Sequence, residues 1–221
     1  MGLGVEDRHR IAKRAAKEIE NGMIVNLGIG IPTLIADFIP SDISVQFHAE
    51  NGVLGTGPTP NRSDINPNLC NAGGYPCSVV QGASFFDSAT AFGMIRRGRL
   101  DVTILGALEV SEEGDLANWI VPGKLVPGMG GAMELAQKAK KVIVLMNHTN
   151  KQGKSKILKE CTLPLTAKGC VSLIITEMAV IEVTPQGLEL KEVMEPYTVE
   201  DVIKHTDAQL KVLKTTGKVE E

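Results

Sequence analysis

The sequence offers one acid in an unusual setting. Glu50 stands in the run Phe47-His48-Ala49-Glu50-Asn51-Gly52-Val53-Leu54-Gly55, closing an apolar stretch and opening a glycine-rich one. A short strand ending there would deliver a carboxylate where backbone can come close. On residue chemistry alone Glu50 could be a catalytic side chain, a ribose ligand, a helix cap or a solvated surface acid. A second feature, Gly28-Ile29-Gly30 after an apolar run, suggests a dinucleotide loop, with Glu50 ~20 residues further on where an acid would hold a ribose hydroxyl. Against that reading, Thr33 replaces the third glycine of the fingerprint and Pro32 intrudes beside it.

A third feature is Gly128-Met129-Gly130-Gly131-Ala132-Met133, which leads into a helical pattern and could aim backbone N–H groups at developing negative charge. The alternative is a tight turn chosen for packing. His48, two residues before Glu50, shares its strand face and could hydrogen-bond near the acid or be a satisfied core histidine. His148 ends another apolar run and could line the same crevice, whereas His9 and His205 read as surface residues. No P-loop, nucleophile elbow or metal-ligand histidine spacing occurs. No metal site is expected.

These residues need a scaffold. Ile11, Ala15 and Ile19 recur every four residues before Gly22, which predicts an opening helix. Strands are expected at 23–27, 45–49, 78–80, 101–105, 142–146, 171–176, 179–184 and 188–190, and helices from Pro32 and over 84–97, 132–140 and 199–205. Residues 55–74 and 114–131 read as long irregular stretches. Unbroken apolar strands alternating with helices predict an α/β chain with a mainly parallel β-sheet and helices on both faces. In such sheets ligands sit at strand carboxyl ends, where Gly28 and Glu50 both fall.

The 221 residues, 43% hydrophobic and 22% charged, are enough for a sizeable core, so a single domain over 1–221 is expected, with 210–221 as a frayed polar tail. A net charge of −3 with scattered Lys and Arg gives no footprint for nucleic acid. The charged N-terminal region lacks signal-peptide character and no long apolar span occurs, so a cytoplasmic protein without membrane attachment is expected. Cys70 and Cys77, and Cys161 and Cys170, are seven and nine positions apart, spacings that fit neither a zinc knuckle nor a redox pair; reduced structural thiols are the expectation.

Taken together, Asn26-Leu27-Gly28-Ile29-Gly30-Ile31-Pro32, Glu50-Asn51-Gly52-Val53-Leu54-Gly55, Gly114-Asp115-Leu116-Ala117-Asn118-Trp119 and Gly128-Met129-Gly130-Gly131-Ala132-Met133 resemble the β subunit of the 3-oxoacid, succinyl-CoA:acetoacetate type CoA-transferases. Cys161-Thr162-Leu163-Pro164-Leu165-Thr166 and Ile174-Ile175-Thr176-Glu177 extend the resemblance to roughly residues 8–205. It implies the CoA-transferase fold. It also implies Glu50 as nucleophile, with CoA exchanged between two acids through a glutamyl-CoA thioester. A carboxylate with a reference pKa near 4.3 is ionised at neutral pH and needs no general base for this attack.

The resemblance further implies backbone oxyanion donors at Gly130 and Gly131, each worth about 3 kcal/mol if well placed. Asn26 would lie beside the reacting acyl group, Gly28 and Gly30 would let substrate pass close, and Asn51 and Gly52 would fix the turn presenting Glu50. His48 departs from the usual Gln-Ser-Glu-Asn-Gly, as does Ala49, so the flank of Glu50 is where an unusual acyl substrate would register. No cofactor is implied beyond the CoA thioester substrate. The CoA-transferase α subunit is implied as partner, giving a hetero-oligomer. Two other readings remain open: a nicotinamide-dependent oxidoreductase, and a non-catalytic regulatory domain of the same fold.

Overall fold

The computed structural model describes residues 4–123 and 128–218, the side chains of 213–218 excepted. The opening helix α1 (Val5–Ala16) carries Glu6 and Asp7 in its first turn and Lys13 and Arg14 in its last, complementing the helix dipole, and buries Ile11, Ala12 and Ala15. Strand β1 (Ile24–Leu27) follows, then a 3₁₀ helix over Ile31–Phe38 with Pro32 in its first turn, where the missing N–H costs nothing. Next come β2 (Gln46–Ala49), β3 (Val53–Thr56), a 3₁₀ turn at Arg62–Asp64, β4 (Val79–Phe85) and α2 (Ser88–Arg96). Asp87 caps α2 by accepting the Thr90 amide at 2.7 Å.

The second half contains β5 (Val102–Gly106), β6 (Glu109–Ser111), β7 (Leu116–Ala117), α3 (Ala132–Lys138), β8 (Lys141–Leu145) and β9 (Ile157–Leu158). It ends with β10 (Leu173–Ile175), β11 (Ala179–Thr184), β12 (Gly187–Val193), α4 (Val199–Lys204) and β13 (Leu210–Lys218). Ten strands form one sheet in the order β13-β12-β11-β10-β8-β5-β1-β2-β3-β4, and β7-β6-β9 form a small second sheet. The five central strands β10, β8, β5, β1 and β2 run parallel. Antiparallel pairs extend both arms.

The sheet is covered on both faces, so its central strands are mostly apolar; β8 buries Val142, Ile143, Val144 and Leu145. One core joins α1 and the Ile31–Phe38 helix to Val25, Phe47, Ile104 and Ile143. The other packs α2, α3, α4 and the small sheet through Ile95, Leu135, Val202, Val110 and Ile157. The four cysteines are unpaired, and burial pushes the Cys161 and Cys170 thiols up to about 12 and about 11. Among the described residues no helix is long and apolar enough to cross a membrane.

Several boundaries differ from expectation. Residues 210–218, expected as frayed tail, form β13 paired parallel to β12, because an edge strand needs backbone partners more than apolar side chains; 219–221 lie outside the described residues. Ser84 and Phe85, assigned to a helix by spacing, belong to β4, and the helix starts after Asp87 supplies a cap. Strands β3, β6, β7 and β9 are too short or too glycine-rich to show a period of two. Of the irregular stretch 114–131, residues 124–127 lie outside the described residues.

Candidate active site

Parallel pairing sets the site's foundation. β1 lies between β2 and β5, and the register places Asn26 opposite both His48 and Thr103. These three polar side chains form a buried row across an otherwise apolar sheet: Asn26 and Thr103 are inaccessible, and His48 is 2% exposed. Buried polar groups must be paired, and apart from the His48 ring nitrogen Nε2 these are. Thr103 Oγ1 donates to Asn26 Oδ1 at 3.3 Å, while Asn26 Nδ2 donates to the His48 carbonyl at 3.1 Å and to Glu50 Oε2 at 3.0 Å.

Glu50 lies just beyond β2, in the turn that reverses the chain into β3. The Gly52 amide donates to the Ala49 carbonyl at 3.0 Å, so Glu50 and Asn51 occupy the two central positions of a tight turn. Gly52 has φ +113°, and a Cβ there would collide with the Phe86 carbonyl oxygen. Only glycine fits. Asn51 faces the other way, donating through Nδ2 to the Cys70 carbonyl at 2.9 Å and so fastening the turn to the long 57–77 segment.

The half-buried Glu50 carboxylate opens onto a crevice of about 540 Å³ lined by Gly28, Gly106, Asn118, Trp119, Gly130 and Gly131 among others. Gly28 is packed so tightly on β5 that a Cβ would meet the Ile104 carbonyl oxygen at 3.0 Å. Gly131, at the start of α3, leaves no more room: a Cβ would reach the Phe92 ring at 3.1 Å and stand 3.7 Å from Glu50 Oε1. The two carboxylate oxygens therefore differ. Oε2 is held by Asn26, and Oε1 faces the glycine wall.

The wall's carbonyls are also held. Asn118 Nδ2 donates to the Gly106 carbonyl at 3.2 Å and is oriented by Thr166, whose hydroxyl donates to Asn118 Oδ1 at 2.6 Å. Lys156 Nζ donates to the Ala107 carbonyl at 2.9 Å. Among the described residues lining this crevice, Glu50 is the only charged side chain.

Of the residues singled out from sequence, Asn26, Gly28, Glu50, Gly130 and Gly131 converge here, with Gly52 and Asn51 shaping the turn. Gly30 and His48 do not line the crevice; they line a neighbouring cavity of about 460 Å³ that shares Ala72 with it. His48 Nδ1 lies 3.5 Å from Asn26 Nδ2, the ring stacks on Phe86 at 6.5 Å, and Nε2 nears the Ala91 backbone without a well-formed hydrogen bond. Burial lowers its pKa against the attraction of Glu50, which favours the neutral ring.

His148 is not in the crevice either. It is fully buried, with Nδ1 and Nε2 each 2.9 Å from the Thr176 and Thr206 hydroxyls, because the strand that carries it ends under α4 rather than beside β2. Thr103, Asn118, Thr166 and Lys156 were missed as site-shaping residues. A lone hydroxyl inside the apolar run Val102–Leu105 was the one available signal for Thr103. The Gly-x-Gly segment leads into a 3₁₀ helix, which lacks the aligned α-helical N-terminus that a dinucleotide pyrophosphate requires.

Comparison with known proteins places the chain. A family profile described as coenzyme A transferase matches residues 8–205. The beta chain of a probable coenzyme A transferase from Bacillus subtilis (strain 168) is 60% identical, the match covering 96% of this chain and 98% of that one. The B subunit of a succinyl-CoA:3-ketoacid coenzyme A transferase from Helicobacter pylori (strain J99) is 52% identical, over 93% of this chain and 99% of that one. The crystal structure of an acyl-CoA transferase apoenzyme from Escherichia coli O157:H7 superposes with a TM-score of 0.77 at 20% identity; it covers all of this chain, which spans only 44% of that longer one. At that identity the likeness concerns the fold.

Proposed function

Since the chain belongs to the coenzyme A transferase family, we propose that it is the nucleophile-bearing β subunit of an enzyme that moves CoA from an acyl-CoA to a carboxylic acid, a 3-oxo acid in our reading. The observation that carries this is the unequal treatment of the Glu50 oxygens. Asn26 fixes Oε2 at 3.0 Å while Oε1 is aimed along the glycine wall, so one oxygen orients and the other attacks.

Oε1 adds to the thioester carbonyl, the tetrahedral oxyanion collapses, and CoA thiolate leaves a mixed acyl-glutamyl anhydride. The thiolate then adds to the glutamyl carbonyl and expels the first acid as its carboxylate, leaving a glutamyl-CoA thioester. A second carboxylate attacks that thioester and releases thiolate. The thiolate takes the new acyl group and returns Glu50 to its ionised form. Thioester energy is conserved throughout, so no ATP and no cofactor beyond the CoA substrate is required.

Each addition places negative charge beside Gly130 and Gly131, whose backbone N–H groups serve as the oxyanion donors. The absence of side chains there lets the acyl group approach within contact of Glu50. Water must be kept from both acyl intermediates. The crevice is open along one side, which supports a partner, the α subunit, that completes it and much of the CoA site. The flank of Glu50 selects the acid indirectly: His48 acts from beneath through Asn26, and Ala49 lines the neighbouring cavity.

The test is chemical trapping. The assembled enzyme, incubated with acyl-CoA alone and then hydroxylamine, should carry a hydroxamate on Glu50, located by peptide mass spectrometry. An active complex whose Glu50 peptide stays unmodified would sink the mechanism.

A further inference from the structure

Outside the crevice lies a buried polar cluster that the transfer chemistry does not use. It gathers at the carboxyl ends of β8 and β10, with His148, Thr176, Glu177 and Lys156 packed between the main sheet, the β7-β6-β9 sheet and α4. Lys156 is its one element that reaches the crevice, by donating to the carbonyl of Ala107, a wall residue. The Lys156 amide donates to the His148 carbonyl and its own carbonyl accepts from Val110, so its backbone is fixed on both sides.

The carboxylates near this lysine are engaged elsewhere. Glu109 of β6 accepts from the Thr162 and Leu163 amides and from the Thr162 hydroxyl. Glu177 accepts from the His148 amide at 3.0 Å. Among the described residues, Lys156 makes no ion pair, and its ammonium spends its directed contact on the crevice wall.

That matters because the crevice already holds the Glu50 carboxylate, and the reaction brings to it a second acid, a thiolate or an oxyanion. A bare carbonyl on the wall would repel these. The Ala107 carbonyl oxygen is instead turned to the Lys156 ammonium, which occupies that oxygen and adds positive potential beside the wall at no reorganisation cost. Resting on the transferase reading, we propose that Lys156 is a positioning residue for the reaction, supplying through the Ala107 carbonyl the positive charge that the crevice lining lacks.

The electrostatic surroundings support this placement. Burial pushes Lys156 down to about 8, against the attraction of Glu177 and Glu109. His148 is buried neutral, held down to about 4 by burial and by His205 and Lys156, so it adds no compensating charge near neutrality. Burial raises Glu177 as well. Above about pH 8 the wall loses its cation, and turnover should fall.

The experiment follows kcat and KM for acyl-CoA from pH 6 to 10 in the assembled enzyme, alongside Glu50 thioester formation. The wild type should show an alkaline fall centred near pH 8. Lys156→Arg should keep the neutral-pH rate and carry the fall beyond pH 10. Lys156→Met should lose roughly tenfold in kcat at pH 7, with less change in KM, and show no fall with that midpoint. Should Lys156→Met fail to fold, the position of the fall in Lys156→Arg decides alone. Thioester formation with an alkaline fall that Lys156→Arg leaves unmoved would overturn the role of Lys156 only; a wild type that forms no thioester at any pH would overturn the nucleophile reading and this role with it.

Discussion

Asn26 Nδ2 stands 3.0 Å from Glu50 Oε2 and 3.1 Å from the His48 carbonyl, so one amide group ties the Glu50 carboxylate to the strand that leads into its turn. Because Thr103 holds the other end of that amide, its orientation is decided by the pairing of three strands rather than by the turn.

Replacing Asn26 should therefore act on the acid before it acts on the fold. Asn26→Asp keeps the shape but sets a second carboxyl at hydrogen-bond distance, so the two share a proton and the pair's upper pKa rises. The acid side of the kcat/KM profile should move up by at least about one pH unit, with turnover at pH 7 down by roughly a hundredfold. An unmoved profile would mean that Asn26 does not contact Glu50 in solution.

Gly52→Ala tests the turn. The positive φ alone costs about 1–3 kcal/mol for a residue with a Cβ, and the Phe86 carbonyl must also retreat. Thermal melting should fall by several degrees, and activity should fall further than the folded fraction accounts for, because Glu50 moves with the turn. Wild-type melting would show that the turn rearranges freely.

Gly131→Ala tests the wall. Its Cβ presses the Phe92 ring and narrows the approach to Glu50 Oε1. Turnover should drop roughly 10–100-fold, with a stability loss of about 1–3 kcal/mol from overpacking. Phe92→Leu in the same chain should recover melting temperature but not turnover. Recovery of both would assign the defect to packing alone.

His148 should govern acid stability. Burial holds its folded pKa at about 4, below the 6.5 of an unfolded histidine. Between these values the unfolded chain binds the extra proton, so the contribution is present above about pH 6.5 and is lost as pH falls toward 4. The full effect is on the order of 3 kcal/mol. Urea midpoints measured from pH 7.5 to 4.5 should drop less steeply in His148→Gln than in the wild type; parallel curves would reject the assignment.

Much of this arrangement was legible in sequence because its signals are local. The nearly continuous apolar run at 101–105 and the apolar run at 142–146 gave the parallel centre, and the glycines after Glu50 and before Ala132 marked where backbone must come close. What stayed hidden is relational. Thr103 matters only through its register with Asn26, and Lys156 only because β9 pairs with β6. His48, expected on the strand face of Glu50, sits below the site because β2 stops at Ala49 and Glu50 already lies in the turn. The 210–218 segment gains its structure from β12 rather than from its own residues.

Part of the wall around Glu50 is main chain: Gly28, Gly106, Gly130 and Gly131 expose peptide groups there. Such a surface has few letters to rewrite. Point substitutions there mostly obstruct, so a change of acyl preference is expected to arise by insertions or deletions in the 57–77 segment, which is pinned to the Glu50 turn through Asn51 and can remould the neighbouring cavity while the acid stays where it is. Libraries that vary loop length would then find new acids where saturation of the wall finds only inactive chains.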